Sequence, residues 1–326
     1  CRALREEGHE AAVSQSTGLL LDPYFSATKY RWILDNVPEA RALGSRLALG
    51  TVESWLAFRL TGGLPVADVT NASRTALFPL AGTTWDAGLC DLFGVPMAAL
   101  PEVVPNAGVI GHCRVDWLGG AIPICGLAGD QQAATIGQGC IDVGSSKATL
   151  GTGAFILANM GTAQPRSANR LLGTVLYQMG EERIFALEGS VFAAGSIIKW
   201  LRDSLGILSS SDESAELARS VADNGSVTFL GGPRGGGAPP ALAGLGAPYW
   251  LPETKAAISG LTFASTRAHI VRGALEAISH IFVDLAQAFA ADGAAWQVLR
   301  IDGGMSANDW LAQDLADMLG LRCDRP

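Results

Sequence analysis

Apolar residues Ala27, Tyr30, Ile33, Leu34 and Val37 recur at roughly helical spacing, predicting a helix capped by Ser26 and running to Pro38. A second run (Val52, Trp55, Leu56, Arg59) follows a candidate cap at Thr51 and is stopped by Gly62-Gly63. Cys1–Arg5 also reads as helix. Around Val66–Phe78 and Pro101–Gly111 the chain is punctuated by Pro and Gly, which predicts loops and short strands. Ala121–Ala128 is a continuous apolar, β-branched run that suits a buried strand, and Asp130 opens a helix through Gln138.

The pattern changes after Val143-Gly144. Lys147–Leu150, the Gly151-Thr152-Gly153 turn and Ala154–Asn159 read as a hairpin, and Arg183–Leu187 as a further strand. Helices are expected over Phe192–Leu205, Asp212–Ala222 and Ala268–Ala291. They are followed by a strand at Gln297–Ile301, a turn at Asp302-Gly303-Gly304 and a helix at Ala307–Leu319. The boundary is placed near Gly139–Gly144, giving domains 1–140 and 141–326.

Composition narrows the class. With 48% hydrophobic and 17% charged residues the chain can bury substantial cores. A net charge of −8 with scattered Lys and Arg opposes nucleic-acid binding. Six cysteines without a CxxC pair and four histidines without ligand spacing point to free thiols in a reducing cytosol, hence a cytoplasmic location and no structural metal. No membrane span is expected. The chain opens at Cys1 without Met and stops at Pro326 as a strand begins, so it reads as an internal fragment. Gly231–Pro240 is compositionally foreign and reads as a surface insertion.

Two elements carry chemistry. Asp130, where a strand becomes a helix, is suited to capping that helix. It is equally suited to holding a hydroxyl and taking its proton, in a setting that favours a negative charge by roughly 0.3–1 kcal/mol. Gly151-Thr152-Gly153 can turn backbone N–H groups and a hydroxyl toward phosphate oxygens, or be an ordinary tight hairpin. Asp302-Gly303-Gly304, between strand and helix, offers a second anion-directed terminus. Together they suggest a phosphoryl transferase.

Several blocks, in order along the chain, resemble the FGGY family of carbohydrate kinases and in particular its glycerol-phosphorylating members. In the first half they are Ser16-Thr17-Gly18, Leu21–Lys29, Thr70-Asn71-Ala72-Ser73-Arg74-Thr75 and Ala128–Gln132. In the second they are Gly151-Thr152-Gly153, Leu187-Glu188-Gly189, Trp200–Asp203, Gly244–Trp250 and Asp302-Gly303-Gly304. The resemblance implies an α/β fold of the actin-like ATPase (ribonuclease H-like) type, with two domains around a nucleotide cleft, both incomplete here. It also implies the reaction of ATP, with Mg²⁺, and glycerol to give sn-glycerol 3-phosphate and ADP. A homodimer or homotetramer is compatible with it.

By the same resemblance Asp130 is the catalytic base, and Tyr24, Gln131 and Phe155 join it in holding the polyol. Gly151, Thr152, Gly195, Lys199, Gly304 and Asn308 fall where the family contacts nucleotide. At Lys199 the family often has Gln. Arg114–Gly120 lacks the longer loop through which some of these kinases bind fructose 1,6-bisphosphate. The family's first phosphate hairpin, Arg-Glu substrate pair and substrate-packing Trp would precede Cys1, so the fragment by itself is expected to be inactive. The alternatives are an FGGY kinase for another polyol or sugar, or a non-catalytic actin-like nucleotide-binding module.

Overall fold

The computed structural model describes residues 1–231 and 241–325. The chain divides into two compact units. The first comprises Cys1–Ala134, Asn159–Ser167 and Leu172–Leu187; the second comprises Thr135–Ala158, Ala168–Leu171 and Glu188–Pro326. Apart from Gly231, the expected insertion at Gly231–Pro240 lies outside the described residues.

The first unit begins with helices α1 (Arg2–Glu6), α2 (Glu10–Thr17), α3 (Ser26–Asn36), α4 (Pro38–Ala42) and α5 (Val52–Thr61). Strand β1 (Val66–Asp68) leads straight into the one-turn helix α6 (Val69–Ala72), and α7 (Ala87–Phe93) follows. Strand β2 (Glu102–Val104) pairs with β1 in parallel. Strand β3 (Ala107–His112) pairs with β4 (Pro123–Gly126) in antiparallel fashion, with the short helix α8 (Val115–Leu118) between them. Helix α9 (Asp130–Gly137) starts in this unit.

Helix α3 stops where Val37 turns extended ahead of Pro38, which then opens α4 at its first turn. Phe25, not Ser26, occupies the cap position of α3 and Ser26 is already helical. A tertiary bond replaces the expected hydroxyl cap, the Ala27 N–H donating to the Thr75 carbonyl at 2.8 Å. Thr51 does stand at the N-cap of α5, but its hydroxyl donates to the Glu53 carboxylate instead of accepting from the helix. The expected buried strand Ala121–Ala128 shrinks to β4, whose residues are mostly exposed. It belongs to a two-stranded ribbon, and an apolar run is buried only where a second layer lies over it.

Four strands follow: β5 (Ser146–Leu150), β6 (Ala154–Gly161), β7 (Leu172–Met179) and β8 (Glu182–Val191). The chain crosses between the two units within β6 and again within β8. In the second unit come α10 (Gly195–Asp203), α11 (Glu213–Arg219), β9 (Thr228–Gly231), β10 (Ala256–Ser259) and α12 (Arg267–Ala291). Strand β11 (Val298–Asp302), α13 (Asp309–Leu319) and β12 (Arg322–Asp324) complete it. Strand β11 lies between β12 and β5, parallel to both, and β5 turns back antiparallel into β6.

Helix α12 is long and apolar enough to cross a membrane, yet 56% of its apolar window is buried in the fold. Val271, Leu275, Ile278, Phe282, Leu285 and Phe289 repeat every three to four residues and are fully enclosed, packing the helix against α10, α11, α13 and β9. It is the core helix of its unit. Phe282→Ala is expected to remove about 3–5 kcal/mol of stability, read as a lower urea midpoint for the second unit.

Candidate active site

In the first unit the chain leading into Asp130 is anchored from below by a buried carboxylate. Asp68 ends β1 with no exposed surface and caps α6, accepting the N–H groups of Thr70 (2.8 Å) and Asn71 (3.2 Å). It also accepts the Thr70 hydroxyl, the Asn71 amide (2.6 Å) and the Asn106 amide (2.9 Å). A carboxylate surrounded by donors has acceptor capacity only, so every partner must point its hydrogen inward. Nearby Glu53 is pushed above the usual carboxylate range, by burial first and with the like charge of Asp68 adding to it.

Because the Thr70 hydroxyl donates to Asp68, its lone pairs are left to accept the Gly129 N–H at 2.9 Å. Asn106 Nδ2 reaches the Leu127 carbonyl at 2.7 Å, and the Leu127 N–H returns to the Asn106 carbonyl at 3.1 Å. On its other side Asn106 exchanges bonds with Gln178 in β7. The Gly129 carbonyl then accepts Ala133 N–H at 2.8 Å, the first turn of α9. A Cβ on Gly129 would stand 2.6 Å from Gln132 Oε1, so a larger residue here would have to push that side chain aside.

Asp130 emerges exposed from this frame, with Oδ1 accepting the Gln131 N–H at 2.8 Å. Beside it in sequence, buried Gln132 donates to Thr174, whose hydroxyl also meets that of Ser73. Tyr24 is half-exposed, edge-on to Phe25 at 5.3 Å and under the Arg74 guanidinium at 5.7 Å. Tyr24, Asp130 and Gln131 thus belong to one unit.

The second unit contains the remaining candidates. Its Gly151-Thr152-Gly153 turn is locked against the start of α10. The Gly195 N–H donates to the Gly151 carbonyl at 2.9 Å, and the Ala194 and Ser196 N–H groups both reach the Thr152 carbonyl at 3.0 Å. The Thr152 side chain is exposed. A Cβ on Gly195 would lie 2.5 Å from the Gly151 carbonyl oxygen and 2.9 Å from Met305 Cγ. Gly303 closes the turn from β11 with φ +87°, and its Cβ would meet the Leu150 carbonyl oxygen at 2.6 Å. Phe155, half-buried, lies across from Thr149 on the hairpin, and Thr149 in turn faces Asp302.

Lys199 is exposed one helical turn beyond Gly195. The Asp203 carboxyl near it is held below its ordinary range, chiefly by its hydrogen bond with Arg202, with Lys199 a smaller influence. Asn308 caps α13 by accepting the Leu311 N–H at 2.9 Å and donates to the Ser214 hydroxyl at 3.0 Å. Gly304 is exposed, and a Cβ there would meet nothing. Sequence reasoning passed over Asp68 and Asn106, and it gave Gln132 and Gly303 no separate role within the blocks that contain them. The one local signal for Asp68 was an acid two residues ahead of Thr70-Asn71, a spacing suited to an N-cap.

The first unit thus presents an acid at a helix start, and the second a glycine-locked turn. Residues 1–137 match the N-terminal domain of the FGGY family of carbohydrate kinases and residues 146–326 its C-terminal domain, so the chain belongs to that family. Its fold is the two-domain mixed α/β fold of those kinases, related to the actin-like ATPases. More particularly, the chain is similar to the glycerol kinases. That of Rhodospirillum rubrum is 49% identical, covering 100% of this chain and 65% of its own length. That of Methylobacterium nodulans is also 49% identical, covering 100% of this chain and 64% of its own. The solved glycerol kinase of Plasmodium falciparum with ADP superposes with a TM-score of 0.87 at 33% identity, covering 99% of this chain and 64% of that one. The chain therefore spans a little under two thirds of the length of the curated relatives it matches.

The glycine contacts yield a test. Gly195→Ala is expected to destabilise the second unit by about 1–3 kcal/mol, the usual cost of forcing atoms into a packed site. Gly304→Ala should leave the melting temperature unchanged, and differential scanning calorimetry of the two variants compares them.

Proposed function

We propose that this chain carries the catalytic base and phosphate-binding turns of an ATP-dependent kinase that converts glycerol to sn-glycerol 3-phosphate. The observation that carries the reading is Asp130, an exposed carboxylate on a buried scaffold, in a chain 49% identical to glycerol kinases over its whole length. In this reading a primary hydroxyl oxygen of glycerol attacks the γ-phosphorus of ATP while the bond to the β–γ bridging oxygen breaks. ADP leaves, and the hydroxyl proton passes to Asp130. The transition state is loose, so the base chiefly orients the hydroxyl and accepts its proton late.

Gln131, Tyr24 and Phe155 would fix the polyol, the rings giving its short carbon chain an apolar wall. The Gly151–Gly153 turn, with Thr152 exposed, and the Gly303-Gly304 turn would take the phosphates of the Mg²⁺–ATP substrate. Lys199 and Asn308 would serve the nucleotide from α10 and the cap of α13.

Asp130→Asn in the intact protein should lower kcat by about 10²–10⁴ with little change in nucleotide affinity. Near-wild-type turnover in that variant would remove Asp130 as the base. In a panel of polyols followed by ADP release, glycerol should have the highest kcat/KM. Xylulose and erythritol should be far poorer, since their extra hydroxyls would be left without partners. A higher value for either one refutes glycerol as the preferred acceptor.

A further inference from the structure

The Asp68 cluster does more than fold a loop: we infer that Asp68, acting through the Thr70 hydroxyl, is the positioning device that aims the Asp130 carboxylate. The inference rests on Asp130 being the base. Asp68 has no exposed surface and so cannot itself meet a substrate. Through Asn106 and Thr70 its bonds nevertheless reach two of the three residues that precede Asp130. Leu127 is held at both its N–H and its carbonyl by Asn106, and Gly129 is held at its N–H by Thr70.

The direction of these bonds is forced. Asp68 can only accept, so Thr70 must donate to it, and the Thr70 oxygen is thereby committed to receiving the Gly129 N–H. Gly129 is also the residue whose carbonyl starts α9, so a shift at its nitrogen would swing the first turn and the Asp130 side chain with it. On the opposite side stands buried Gln132, tied to Thr174, and a Cβ added to Gly129 would come within 2.6 Å of its Oε1. A carboxylate that must meet a hydroxyl within hydrogen-bond reach is sensitive to such a shift, because a misplacement of about 1 Å can cost on the order of 10²-fold in rate.

Asp68→Asn strips a charged acceptor from a cluster of donors and is expected to unfold the loop, so the deciding variant is Thr70→Val. It keeps the shape, deletes both hydroxyl bonds and leaves Asp68 in place. In the intact protein Thr70→Val should lower kcat about 10- to 100-fold while KM for Mg²⁺–ATP is unchanged, and Thr70→Ser should recover most of the lost rate. Combined with Asp130→Asn, Thr70→Val should cost nothing further, because a positioning residue has nothing left to position.

Wild-type kcat in a folded Thr70→Val protein would overturn the inference, as would failure of the serine to restore the rate or rate losses that multiply in the double variant. If Asp130→Asn itself turns over at the wild-type rate, the base assignment falls first and this inference with it. Loss of activity in Asp130→Asn alone, with Thr70→Val fully active, overturns only the positioning role.

Discussion

A carboxylate with no water around it must find its hydrogen bonds in the protein, and Asp68 imposes that demand on the first unit. It has no exposed surface, and its ligands come from α6, from the loop before β3 and from its own backbone turn. Leaving any of those donors or the acceptor unpaired would cost on the order of 1–3 kcal/mol each, so the cluster forms as a whole. Ser73, whose hydroxyl donates to the Thr70 carbonyl, and Thr174 extend it to β7 and to Gln132 in α9. The catalytic candidate therefore needs few contacts of its own, because the segment beneath it is held by a network anchored on a carboxylate that can only accept.

The second unit solves a different problem with different means. Its central turn must bring backbone against backbone, and here side-chain removal does what hydrogen-bonding side chains do in the first unit. Gly195 lets α10 start directly on the Gly151 carbonyl, Gly153 passes the Val191 carbonyl, and Gly303 folds β11 under Leu150. Each of these positions would place a Cβ well inside contact distance of main-chain atoms, which cannot yield as a side-chain tip can. The N–H groups at the start of α10 close on the Gly151 and Thr152 carbonyls, which stiffens the turn while leaving the Thr152 side chain outward.

Core packing supports both arrangements from behind. Helix α12 fills the second unit with a stripe of large apolar side chains, and its burial explains why a segment of such length and composition belongs to a globular interior. Arg272 on the same helix bonds Glu276 and the Val221 carbonyl and stacks on Trp310, so the polar edge of the stripe ties α11, α12 and α13 together. Leu311 and Leu315 on α13 are fully buried, and β11, which leads into Gly303, is held beside β5 by parallel strand pairing.

Local rules were enough for much of this. Helical spacing and terminal residues located α3, α5, α9, α10, α12 and α13 to within a few residues, and the Gly151 turn and Asp130 stood out as candidates because each is a short contiguous pattern. The ordered blocks also identified the family. What only tertiary structure decided is everything that joins distant positions. Ser26 is not a cap because Thr75 supplies a carbonyl to the first turn of α3, and β4 is exposed because it sits in a two-stranded ribbon. Asp68 and Asn106 stand 38 positions apart, and Thr70 and Gly129 stand 59 apart. The periodicity of a chain records which face of an element is apolar; it holds no term for which donor, folded in from elsewhere, will meet a buried oxygen.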